Sequence, residues 1–161
     1  MKHKERIERA LLALQERTYY DPYPENPRAY AEDADAKGKE AFQKQLSNPF
    51  LGLADEGNSG LIGEEVSPYM LVGLGVQYPK FSAEILVERS KLAHNDWKKL
   101  SVEARADILV DMLDAVSGRF FELGYATMHT TGQSFMMSFQ ASGPHANDRA
   151  MESIALGYHE L

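Results

Sequence analysis

The chain has 161 residues, no cysteine and a net charge of −7. The missing cysteines exclude disulfides and cysteine-ligated zinc, and the acidic surplus argues against nucleic-acid or anionic-membrane partners, which recruit Lys and Arg. Hydrophobic (43%) and charged (25%) fractions are those of a soluble globular protein, a cytoplasmic one by expectation.

The length suits one domain. No stretch approaches the ~20 apolar residues of a membrane span, and the apolar run Ala10 to Leu14 after a basic start is too short for a signal segment.

Residues 2–17 carry Ile7, Ala10, Leu11 and Leu14 at helical spacing, one face of an amphipathic helix. Pro22 and Pro24 forbid its continuation, and Tyr19, Tyr20 and Tyr23 are expected to lay this segment over another surface. Asn26-Pro27 joins an N-cap to a proline at the first helical position and predicts a helix to about Leu46. Residues 47–63 form a loop by composition, with turn residues at Asn48-Pro49, Gly52, Gly57-Asn58-Ser59-Gly60 and Gly63. Leu61-Ile62 and the run from Met70 to Tyr78 predict at most a small β-hairpin, weakened by Gly73 and Gly75.

From Ser82 onward helical periodicity dominates. Ser82 caps a helix through Ile85, Leu86, Arg89, Leu92 and Ala93 toward Trp97, read as a buried anchor. Ser101 caps the next helix, with Glu103 in its favourable first turn and a stripe of Ala104, Ile108, Leu109, Met112, Leu113 and Val116 ending at Gly118. Phe120, Phe121, Leu123 and Met128 mark another, stopped at Gly132. Residues 133–141 read as helical. Gly143-Pro144 separates them from a last helix with Ala150, Ile154, Ala155 and Tyr158 on one face. The fold class is mainly α, in three stretches: a helical extension at 1–46, a loop with a hairpin at 47–81, and a helical segment at 82–161. Two apolar faces predict self-association into a homo-oligomer. One is Ile108, Leu109, Met112, Leu113 and Val116; the other is Phe135, Met136, Phe139, Ile154 and Tyr158.

The chemistry-bearing residues are sparse. His3, His94, His129, His145 and His159 include no His-x-x-x-His pair. His129 and His145 flank a Met-rich element and could meet Asp148 or Glu152 around a metal, but satisfied surface histidines are the commoner outcome, so no metal ligand is assigned. Thr130-Thr131-Gly132-Gln133 lacks the lysine and the glycines of a phosphate loop and reads as a helix end. Glu64-Glu65 and Glu32-Asp33-Asp35 have no acid–base partner and read as solvated charge. Phe135, Met136, Met137 and Phe139 read first as a packing face, methionine being a good filler beside aromatic rings.

The order of these features resembles the front of the aldehyde dehydrogenase superfamily: Trp97, then Ser101-Val102-Glu103-Ala104-Arg105, then a helix ending in Thr131-Gly132-Gln133. Met136-Met137-Ser138-Phe139-Gln140 and Gly143-Pro144-His145 look like the PaaN-type proteins of phenylacetate catabolism. The resemblance covers about Tyr69 to the C-terminus. It implies the helical N-terminal segment of an aldehyde dehydrogenase-like fold. The parent enzyme would oxidise an aldehyde to the acid or thioester level. Its cysteine thiolate would attack the carbonyl, NAD or NADP would accept hydride, and a glutamate would activate water. The sequence has neither the cysteine nor a Gly-rich strand–helix turn. No catalytic, cofactor-binding or metal residue is therefore assigned within 1–161, and the isolated chain is expected to be inactive. Its partners would be the remainder of the polypeptide and, through the parent, a small aldehyde. Phe135, Met136 and Phe139 are candidates for one wall of the substrate tunnel. The competing readings are a self-contained helical interaction module and a small His/carboxylate metalloenzyme.

Overall fold

A computed structural model describes residues 1–50, 53 and 56–161. Gly52, one of the expected turn residues, lies outside them. The helices are α1 (Lys4–Glu16), α2 (Ala34–Gln45), α3 (Ala83–Trp97), α4 (Val102–Ser117), α5 (Phe120–Thr131), α6 (Phe135–Ser142) and α7 (Pro144–Glu160). Strands β1 (Leu61–Ile62) and β2 (Tyr78–Pro79) pair antiparallel, Leu61 opposite Pro79 and Ile62 opposite Tyr78. This is the mainly α chain with a small hairpin that the periodicity predicts.

Local chemistry sets most boundaries. The hydroxyls of Ser82, Ser101 and Ser134 accept from the backbone N–H groups of Ile85, Ala104 and Met137, capping α3, α4 and α6. Gly132, in the left-handed region at φ 78°, ends α5 as expected. Two boundaries differ from the sequence reading. Asn26 does cap, its side chain accepting from the Arg28 N–H, but only a single 3-10 turn at Pro27–Ala29 follows. The chain is then drawn inward at Tyr30, whose ring meets Phe120, Phe121 and Phe139 edge-on, and the helix restarts at Ala34. The second strand is also shorter than the run from Met70 suggests. Leu71 and Gly75 both take positive φ, which breaks the ladder before Tyr78.

Two cores result. In the larger one α7 lies between α1 and α4 and also touches α6. Ile7, Ala10, Ala106, Val110, Phe120, Phe139, Met151 and Ala155 fill it. In the smaller one Phe42 of α2 meets Leu74 and Val76 of the central loop beside α5. Buried apolar side chains of this size each stabilise by roughly 1.5–3 kcal/mol relative to exposure. Tyr20 and Tyr23 do lie over the large core, whereas Tyr19 is 81% exposed. Helix α3 stands apart: no residue of it is buried, and Trp97 at its end is half-buried rather than a core anchor.

Candidate functional site

The histidines do not assemble as a metal site around the Met-rich element. His129 Nδ1 sits 2.7 Å from Ser67 Oγ, while His145 Nδ1 pairs with Glu25 at 3.1 Å. Different neighbours take up the two rings, so neither is left for Asp148 or Glu152. Among the described residues, the group with metal-ligand spacing is His3, Asp111 and Asp114, which sequence inspection passes over. Its signal was present, because Asp107, Asp111 and Asp114 repeat at helical spacing on α4. Other cations already neutralise these carboxylates. Asp111 takes Lys2 Nζ at 2.6 Å and His3 Nε2 at 2.7 Å. Asp114 takes the Arg6 guanidinium at 2.8 Å and the Tyr23 hydroxyl at 2.9 Å. Asp107 accepts from the backbone N–H of Lys2 and of His3. Hydrogen bonds from Lys2 hold both Asp107 and Asp111 below the usual carboxylate range. The cluster docks the N-terminus on α4 without calling for a metal.

The Ser67–His129 pair is not a nucleophile and its base. Ser67 Oγ accepts from the N–H groups of Tyr69 and Met70 at 3.2 and 3.1 Å, so its own proton goes to His129 Nδ1. Ser67 is 0% exposed, and a substrate carbonyl has no approach to its hydroxyl. His129 stacks on Phe42 at 4.9 Å, and desolvation, with help from Lys39, pushes its pKa down.

Asp148 is a buried acid. It accepts from the Tyr23 N–H at 3.3 Å and borders a hollow of ≈ 330 Å³ with Tyr19, Tyr20 and Arg17. Burial, with the nearby charges of Asp21 and Glu25, pushes its pKa up to about 6. Glu152 also lines that hollow, but it is paired with Arg149 at 2.7 Å, and among the described residues no hydrogen bond joins it to Asp148 for a shared proton.

The three tunnel-wall candidates part company. Phe139 is fully buried, and α6 and α5 pack so closely that a Cβ on Gly124 would lie 3.1 Å from its backbone. Phe135 packs against the core and, with Met136, borders an open hollow beside Tyr125 and Asp35. Met136 and Met137 are 47% and 55% exposed, so the packing face of α6 is aromatic and its methionines are outside.

A separate, mainly apolar groove lies elsewhere. Helix α4 offers Val102, Arg105, Ala106 and Leu109, positions on one helical face. Across from them α7 presents Ile154, Gly157, Tyr158 and Leu161, and Trp97 closes one end. The groove measures ≈ 340 Å³, within the range of small-molecule sites. Arg105 supplies a charged group, and its Nε is shut away from solvent with no partner among the described residues. Sequence inspection singles out Ser101-x-x-x-Arg105 only as a helix start, since nothing local reveals that α7 closes over the guanidinium.

No family model matches the chain, and no curated protein matches it. Among solved structures it is similar to the crystal structure of an NAD-dependent aldehyde dehydrogenase from Burkholderia multivorans, with 37% sequence identity and a TM-score of 0.92. The match covers 99% of this chain and 28% of that one. The mainly α fold with its small hairpin is therefore that of part of an aldehyde dehydrogenase, and the chain spans little more than a quarter of the enzyme it matches.

Proposed function

We propose that this chain works as the helical portion of an aldehyde dehydrogenase-type oxidoreductase. The likeness to the Burkholderia multivorans enzyme, 37% identical over 99% of the chain, carries the reading. The sequence holds no cysteine, so the thiolate that would add to the aldehyde belongs to another part of the polypeptide. That part would also hold the NAD that accepts hydride. In this reading residues 1–161 are inactive alone and shape the assembly, a cytoplasmic homo-oligomer. Residues 1–46 extend the helical segment 82–161, and Phe135 and Met136 stand at one wall of the substrate path with Phe139 bracing them from behind. Met136-Met137-Ser138-Phe139-Gln140 and Gly143-Pro144-His145 support the finer assignment, a PaaN-type enzyme of phenylacetate catabolism with an aryl-substituted aldehyde as substrate.

One observation favours a second reading, a self-contained interaction module. The large core is closed by residues from Ile7 to Ala155 of this chain alone. A single experiment separates the two. The gene is read beyond codon 161, and the chain and its extension are assayed for phenylacetaldehyde-dependent NAD reduction. An extension that carries a cysteine and turns over, beside an inactive chain, supports the enzyme. Turnover by the pure chain overturns it, and a stop codon after Leu161 leaves the module.

A further inference from the structure

A guanidinium N–H cut off from water and left without an acceptor is costly. Arg105 is in that position. Its Nε is buried and unpartnered, and it forms no ion pair with any described carboxylate. The surfaces around it are apolar: Trp97, Leu109, Ile154 and Tyr158. The side chain as a whole is part-exposed and lines an open groove of ≈ 340 Å³, with no acidic partner among the described residues.

We propose that this groove binds a small amphipathic carboxylate, an aromatic or aliphatic acid. Its ring or tail lies on Trp97, Leu109, Ile154 and Tyr158, and its carboxylate accepts from the Arg105 guanidinium. The chemistry of each part selects this class. Arginine presents a planar fork that matches a carboxylate, and in apolar surroundings that charge-assisted bond is stronger than in water. A neutral compound with the same tail fills the walls but forms no ion pair with the cation. Inorganic phosphate would compensate the cation but find no use for the walls. The site makes and breaks no bond. It is separate from the hollow bordered by Phe135 and Met136, and it does not rest on the oxidoreductase reading.

Trp97 is the only tryptophan of the chain and lines the groove, so its emission reports occupancy without a label. The 161-residue chain is titrated with 3-phenylpropanoate and with 3-phenylpropanamide. The acid is expected to bind at least tenfold more tightly. In Arg105→Gln that preference disappears while the amide binds as before. Gly157→Leu provides a variant that folds: a Cβ at Gly157 meets nothing within 4 Å, and leucine favours the helix over glycine. It fills the groove, and binding of both compounds is lost while helicity and melting temperature hold. Equal affinity for acid and amide overturns the proposal, as does a preference that survives Arg105→Gln. Unaltered acid binding by Gly157→Leu, or no saturation in the millimolar range, also overturns it.

Discussion

The hydroxyl of Ser67 and Nδ1 of His129 lie 2.7 Å apart across 62 positions of sequence, and through this bond the central loop is fastened to the end of α5. Tyr69 reinforces the joint, its hydroxyl donating to the carbonyls of Gly132 and Gln133 at 3.0 and 2.8 Å.

The imidazole in this joint is held neutral. Its folded pKa is depressed, so below the ordinary histidine value the unfolded chain binds the proton more readily. The contribution to stability is thus present above about pH 6.5 and is lost as pH falls toward the folded pKa. The His129 resonance should titrate below that of a free histidine. Ser67→Ala should cost about 1–3 kcal/mol, because Nδ1 and two backbone N–H groups lose their partner. A His129 titration at or above the free value would refute the assignment.

Asp148 has the opposite sign. Its folded pKa is raised to about 6, so the folded state holds the proton more tightly than the unfolded one, and stability falls as pH rises from the ordinary aspartate range through that value. Asp148→Asn keeps an acceptor for the Tyr23 N–H and removes the buried charge. It should stabilise the protein at pH 7 by about 1–2 kcal/mol, partial solvent screening included, and by little near pH 3.5. Denaturant melts at the two pH values measure the difference; equal effects at both would show that burial is not the cause.

Gly38 is buried in α2 where α2 crosses α5, and a Cβ there would collide with Phe121 and with the backbone at Glu122. Alanine ordinarily favours a helix interior by about 1 kcal/mol. At this position Gly38→Ala should instead lower stability by about 1–3 kcal/mol, since overpacking forces two helices apart. Thermal melting decides the sign.

Neighbouring positions on α6 should respond in contrasting ways. Phe139→Lys places a charge in the closed core and should abolish cooperative unfolding. Met136→Lys, at an exposed site, should change stability by less than about 0.5 kcal/mol. Circular dichroism during denaturation distinguishes them. If both are tolerated, the packing face of α6 has been assigned wrongly.

Sequence legibility followed the range of the forces involved. Caps are local, so Ser82, Ser101 and Gly132 mark helix ends correctly, and the helical stretch 133–141 falls within two residues of α6. Tyr30 is not local: its place among Phe120, Phe121 and Phe139 interrupts a helix that Asn26-Pro27 would otherwise start. The inward side of α6 was equally hidden. Phe135, Met136 and Phe139 have similar hydrophobicity, and it is distant partners, Tyr30, Phe120, Phe121 and the close approach of Gly124 on α5, that enclose Phe139. Arg105 shows the same limit at the candidate site, because its isolation is created by a helix about fifty residues away in sequence.

Helix α1 packs against α7, the first helix against the last. At ribosomal rates of ~5–20 residues per second, the apolar face of Ile7 and Ala10 emerges on the order of ten seconds before the surface that covers it. In the folded chain the aspartates of α4 bond Lys2, His3 and Arg6, so that helix is held by polar bonds to α4 as well as by apolar packing on α7.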